Sequence, residues 1–172
     1  MKRRYLLPLF VFVAFTAHAA DPLPPVKEIM DEAVNGWSEN PSDGKDYFDD
    51  ERLGRIYSAD FAATYKTASK FPAYDEGESP LDYDVIVGGQ DSCTLNDVEI
   101  EPQGEKDGVA DVRVTFDNTH CFGERDADWK PTELHFLVKE EKGHAVIDDI
   151  VRTGELGSLK QELGAIAKQG AE

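Results

Sequence analysis

From Ala110 to Asp117 the chain alternates without a break. Ala110, Val112, Val114 and Phe116 are apolar, while Asp111, Arg113, Thr115 and Asp117 are polar. A period of two sends successive side chains to opposite faces, so this segment reads as a strand with one buried face and one wetted face. Such a strand needs paired neighbours and an apolar cover, and the flanking sequence supplies both. Val98 and Ile100 alternate with polar residues ahead of a turn region at Gln103–Gly108. Thr132, Leu134, Phe136 and Val138 form a third strand, and a turn over Glu140–Gly143 leads to a fourth through Val146, Ile147 and Ile150. Short strands joined by tight turns predict an antiparallel meander.

The cover comes from helical periodicity. Val26, Ile29, Met30, Ala33, Val34 and Trp37 recur at helical spacing, with Pro25 suited to a first helical position. Leu53, Ile56 and Tyr57 share a face after Asp49, and Ser58 can cap a further helix carrying Phe61, Ala62, Tyr65 and Ala68. Ser158 can cap a last helix with Leu159, Leu163 and Ile166 on one side. Helices and strands are therefore segregated, which predicts an α+β fold: N-terminal helices packed on one face of a curved four-stranded antiparallel sheet, with a short C-terminal helix. Between helices and sheet, Phe71–Asp91 holds two Pro, three Gly and several acids. This reads as a long ordered loop, and long loops in compact domains are often functional.

The first residues have a different character. Lys2, Arg3 and Arg4 precede an apolar run from Tyr5 to Phe15, and Ala17-His18-Ala19 then offers small residues where a signal peptidase reads. The apolar core is well short of the roughly 20 residues that span a bilayer. The expected organisation is a signal peptide over 1–19 cleaved after Ala19, a lead-in over 20–25, one α+β domain over 26–168 and a tail over 169–172. The expected location is the periplasm or outside the cell.

Net charge is −17, and loss of Lys2, Arg3 and Arg4 takes it to −20. So acidic a surface repels phosphate backbones and anionic lipid, which argues against nucleic acid or membrane as partners. It favours cations or a basic protein. The two cysteines, Cys93 and Cys121, lie in the exported part and predict one disulfide. If Asp107-Gly108 is a two-residue hairpin turn, they fall one residue out of register with each other, which a single bulge near Asn96–Val98 would absorb. No Cys-x-x-Cys pair accompanies them, so the reading is a staple rather than a redox site.

Candidate chemistry is sparse. Glu133 and His135 share one strand face, as general acid–base catalysis or a solvated ion pair would both have it. Glu124, Asp126 and Asp128 alternate in a loop but lack the Gly and closing Glu of a calcium loop. Asp148 and Asp149 end the last strand, where an inward carboxylate is expected to bond backbone groups. No Gly-x-Ser-x-Gly elbow, phosphate-cradling Gly loop or His-Glu-x-x-His helix is present, and no cofactor is expected.

Arg52-Leu53 through Tyr57-Ser58-Ala59-Asp60-Phe61, then Leu81-Asp82-Tyr83-Asp84, Gly89-Gln90-Asp91 and Val146-Ile147-Asp148-Asp149-Ile150 form a pattern. It resembles a family of small exported bacterial proteins of unknown function, over residues 26–168. His144-Ala145-Val146 departs from that pattern where an aromatic often precedes the last-strand Ile. The resemblance implies a cystatin-like, nuclear-transport-factor-2-like roll, a curved sheet wrapped round a long helix with an open concave end. Enzymes on such rolls place an Asp–His or Tyr–Asp group deep in the cone, for which Asp84, Asp91 and His135 are the parts available. Some similar proteins are periplasmic immunity proteins.

Three function classes follow. The first is a non-enzymatic protein-binding domain, an inhibitor or immunity protein against a basic secreted enzyme or effector. Its expected contact is the long loop, through Tyr74, Asp82, Tyr83, Asp84, Gln90 and Asp91, since tyrosines are enriched at interaction hot spots. The second is a small-ligand or cation binder using the cone. The third is a hydrolase or isomerase built on Asp84, Asp91 and His135.

Overall fold

The computed structural model describes residues 20–170 apart from Glu76 and Glu78. The expected signal segment 1–19 lies outside the described residues, as do Ala171 and Glu172 of the expected tail. The element order is α1 (Leu23–Gly36), α2 (Asp50–Arg55), α3 (Ala59–Ala68), β1 (Asn96–Lys106), β2 (Val109–Asp117), β3 (Thr132–Glu141), β4 (His144–Arg152), β5 (Gly157–Ser158) and α4 (Leu159–Gln169). Helices and sheet are segregated as the periodicity predicts. α1 begins within the expected lead-in, because Pro24 and Pro25 both fit a first turn that needs no amide donors from them.

The sheet is antiparallel, ordered β1-β2-β3-β4-β5, and open: β1 and β5 are its two edges. It has five strands rather than the expected four. The fifth is a two-residue pairing of Gly157 and Ser158 with Arg152 and Val151, too short to leave a period in the sequence. Both long hairpins close through two-residue turns, Asp107-Gly108 and Lys142-Gly143, in which both residues take positive φ. That geometry matches the right-handed twist of the strands. β1 runs through the expected turn region to Lys106 and carries two register shifts, not one: between Asn96 and Glu99, and between Pro102 and Gly104. Pro102 is tolerated there because β1 is an edge strand.

A further shift lies between Leu137 and Val138, which pair with Asp149 and Ile147 and so leave Asp148 as the extra residue on β4. The bulge lets Ile147 and Ile150, three positions apart, both be fully buried. They join Val112, Val114, Phe116, Leu134, Phe136 and Val138 on the inner face of the sheet. Val26, Ile29, Met30 and Ala33 of α1, Phe61 and Ala68 of α3, and Leu159 and Leu163 of α4 cover that face. Phe48, Tyr57, Phe61 and Tyr65 add an aromatic cluster, with Tyr57 and Phe61 stacked at 4.8 Å between centroids.

Two polar hubs fix the helices. Arg52 is buried in α2, where its guanidinium donates to Glu28 and Glu32 of α1, to Asp49 and to the carbonyl of Asp46. Asp148 receives the Ser58 hydroxyl at 2.6 Å and the ammonium groups of Lys139 and Lys160. Ser58 in turn caps α3 by accepting from the Phe61 amide. Its own amide donates to the Ile147 carbonyl, while the Ile147 amide donates to that of Ile56. The segment entering α3 is thus laced along β4.

Removing Arg52 strands several carboxylates in a buried setting. Arg52→Met is therefore expected to lower stability by about 3 kcal/mol. Lys45→Ala, which breaks only the exposed Lys45–Glu51 pair, is expected to change it by less than about 0.5 kcal/mol; urea denaturation measures both. Burial alone would raise the Asp148 carboxyl, but hydrogen bonds from Lys139, Ser58 and Lys160 hold it below its ordinary value. A lowered folded-state value means its contribution is complete above about pH 5, fades below about 4 and is lost as pH falls through that lowered value. Asp148→Asn should accordingly flatten the acid limb of the stability–pH curve, and an unchanged limb would refute this assignment.

Candidate functional site

An antiparallel meander collects its alternate connections at one end. Here β1 begins, β2 ends, β3 begins and β4 ends at the same margin of the sheet. Three connections therefore meet there: the long loop 69–95, the loop 118–131 and the turn 153–156. A shallow groove of about 270 Å³ lies between them, lined by Ile86, Val87 and Gly88 from the first, Lys130 and Pro131 from the second, and Thr153 and Leu156 from the third.

The long loop has a fixed shape because Asp84 organises it. One carboxylate oxygen accepts from the Ile86 and Val87 amides at 2.8 and 3.1 Å, closing a turn, and the Asp84 and Gly88 amides complete it by donating to Gly89 and Asp84 carbonyls. The other oxygen accepts from Trp37 Nε1 and from the Tyr47 hydroxyl, each at 2.9 Å. Burial, then the Asp84 charge beside it, pushes the Tyr47 hydroxyl far above its ordinary pKa, so it remains a donor. Tyr83 is turned inward as well: its hydroxyl donates to Glu162 at 2.6 Å and accepts from Arg152. The Arg152 guanidinium also donates to Glu162 and to the carbonyls of Leu156 and Gly157, which ties the loop to β4, α4 and the turn before β5.

Of the six loop residues expected to form a contact, Tyr83 and Asp84 thus serve inside the domain. Tyr74, Asp82, Gln90 and Asp91 are exposed. Gln90 draws three parts of the loop together by donating to the Asp82 carbonyl at 2.8 Å and to the Tyr74 hydroxyl at 3.4 Å. The Cys93–Cys121 disulfide is formed, with Cα atoms 5.8 Å apart. It joins the long loop to the loop 118–131, and the Cys93 amide donates to the Asn118 carbonyl beside it. That second loop is itself braced. Arg125 pairs with the buried Asp117 and lies 4.1 Å over the Trp129 ring, and Trp129 donates to Thr119. Burial alone would raise the Asp117 carboxyl, but the Thr119 amide and the Arg125 guanidinium hold it below its ordinary value.

The structure does not bring Asp84, Asp91 and His135 together. His135 stands on the outer face of β3, with Asp111 at 2.8 Å and Glu133 at 3.5 Å, and Arg113 locks Glu133 at 2.6 Å. That is an ion-paired strand face. Asp84 is engaged by Trp37 and Tyr47 on the helical side of the sheet. Asp149 bonds the Ile150 and Lys160 amides and the Ser158 hydroxyl, as an inward carboxylate is expected to do. Glu124, Asp126 and Asp128 are exposed, and among the described residues no group of three or more His, Cys, Asp or Glu is placed to hold a metal ion. A larger groove, about 620 Å³, lies elsewhere, lined by Pro24, Pro25, Glu28, Arg55, Ile56, His144 and Ala145 among others.

Phe122, Leu156 and Arg152 are loop-end residues that sequence reasoning passed over. A signal was present for Arg152, which shares strand parity with the buried Ile150 and so had to find partners inside. Phe122 is an apolar residue between a cysteine and the run Gly123-Glu124-Arg125-Asp126. No family model, curated protein or solved structure matches the chain. No helix among the described residues is long and apolar enough to cross a membrane.

The two neighbouring loop aspartates should separate cleanly in thermal and urea melts. Asp84→Ala leaves buried donors unpaired and is expected to cost about 3 kcal/mol. Asp82→Lys, at an exposed position, should change stability by less than about 0.5 kcal/mol. Equal effects would contradict the organising role of Asp84.

Proposed function

We propose that this chain is an exported, non-enzymatic protein-binding domain that captures a basic protein, in the manner of an inhibitor or immunity protein, through the loop end of its sheet. The observation that carries this reading is the long loop itself. It has almost no regular structure, yet Asp84, Tyr83 and the disulfide hold it, so it presents Tyr74, Asp82, Gln90 and Asp91 in a set arrangement. Order before binding reduces the entropic cost of association, which is how a modest surface reaches useful affinity. The net charge of −17 adds long-range attraction for a cationic partner, raising the association rate at low salt. A disulfide fits an oxidising compartment and supports export.

A second reading has an observation of its own. The groove beside Pro24, Pro25, Ile56 and Ala145 sets apolar walls against Glu28, Arg55 and His144. That mixture suits a small ligand with one polar end.

Affinity capture from periplasmic and secreted fractions, with the oxidised mature chain as bait, tests the first reading. The expected result is one basic protein, eluted as salt rises. A Tyr74→Ala, Asp82→Lys double variant should then bind it at least about tenfold more weakly. Full binding by that variant removes the loop as the contact, and ligand-induced stabilisation blocked by Arg55→Glu would move the site to the groove.

A further inference from the structure

Among the described residues four large hydrophobic side chains are exposed, and three of them, Tyr74, Phe122 and Leu156, sit one on each of the three connections at the loop end. Exposed apolar residues scattered over a surface need no explanation, but their collection at one margin does. Tyr74 and Phe122 are also the most exposed of the four, at 59 and 57%. Resting on the protein-binding reading, we infer that Phe122 and Leu156 complete one composite docking surface with Tyr74. Its occupant is an extended basic segment of a protein in which arginine or lysine alternates with apolar side chains.

Covalent and polar braces make the three loops a single surface. Gln90 bonds Tyr74, and from Gln90 the chain reaches Cys93, whose partner Cys121 precedes Phe122. Gln90 and Cys121 are thus within roughly 17 Å, counting at most about 3.8 Å per residue along the chain. That fits inside a standard interface of about 800 Å² per partner. On the other side Leu156 packs against the loop turn. Gly88 has φ +73°, and a Cβ added to it would lie 3.1 Å from Leu156 Cδ1, so the glycine is what lets the two meet.

Charge identifies the occupant. Asp82 and Asp91 on the first loop, and Glu124, Asp126 and Asp128 on the second, are exposed on the connections that carry Tyr74 and Phe122. Arg125 is paired with Asp117 and Arg152 with Glu162, and exposed Lys130 at the groove stands against these five acids. Apolar anchors within an acidic rim match a segment of opposite charge carrying apolar side chains, and reject an acidic or purely polar one. Of the trio only Leu156 lines the groove of about 270 Å³, which admits a side chain or two rather than a globular surface and so favours an extended segment.

The probe is a short fluorescent peptide of alternating arginine and tryptophan, titrated with the oxidised mature chain at low salt. Alternating lysine–serine and glutamate–tryptophan peptides serve as controls. The arginine–tryptophan peptide should bind most tightly. Phe122→Ala and Leu156→Ala should each weaken it at least about fivefold, while Val34→Ala, exposed on α1, leaves it within about twofold. Phe122 is exposed enough that its variant reports on the surface even if Leu156→Ala loosens the Gly88 turn. If Phe122→Ala matches Val34→Ala, the composite surface is wrong. Weakening by the Tyr74, Asp82 double variant in the same titration would then leave the single-loop reading standing. Indifference to every variant, or equal affinity for all three peptides, overturns the inference, and the capture experiment judges the wider reading separately.

Discussion

Asp84 accepts from two backbone amides of its own turn and from two side chains of the helical layer, Trp37 and Tyr47. That double use converts a long irregular segment into part of the fold. The turn residues Ile86 and Val85 are buried as a consequence, and they bring Tyr83 to Arg152. Without the carboxylate the loop would rely on the burial of Leu81, Val85, Ile86 and Leu95, the Tyr83–Arg152 contact and the disulfide. The entropy of fixing so many backbone torsions is large, so concentrated hydrogen bonding at one residue is an efficient remedy.

Arg152 and the disulfide extend the same logic to the neighbouring connections. Each loop at this margin is anchored to a second loop or to a helix, and none depends only on its own strand ends. The opposite margin is built differently. Its hairpins turn in two residues, and the groove of about 620 Å³ lies beside one of them, at Gly143, His144 and Ala145. The domain therefore has one end of tight turns and one of long connections, and the exposed Tyr74 and Phe122 and the cysteines fall at the latter. The proposed capture of a basic partner draws on that asymmetry more than on any single residue.

Strand and helix periods made the architecture readable before any coordinates. Ala110–Asp117 read as a strand and forms β2, though Thr115 and Asp117 of its expected wetted face are buried, and Ser58 and Ser158 marked helix starts that the structure reproduces. What escaped notice depends on contacts distant in sequence. Asp84 read as a loop contact or a catalytic acid because its structural partners stand far off, at positions 37 and 47. The bulge near Asn96–Val98 was readable, but those at Pro102–Gly104 and in β4 alter register without altering composition. Cys93 and Cys121 could be paired from the hairpin alone, since a turn and a count of residues carry enough geometry. Phe122 and Leu156 were missed because one exposed hydrophobic residue in a loop has no periodicity to read. They gain meaning only once topology gathers them.

β1 has a bearing on how the molecule behaves in company with its own copies. A flat edge strand is a template on which a second chain can build, and fibrils grow by repeating that step. Here the margin is bent twice, interrupted by Pro102 and studded with Glu99, Glu101 and Glu105. At the other side the passage into α3 pairs with Ile147 of β4, and β5 pairs with Val151 and Arg152. A crowded solution of this protein should stay dispersed, its sheet offering newcomers no straight rail on which to lie down.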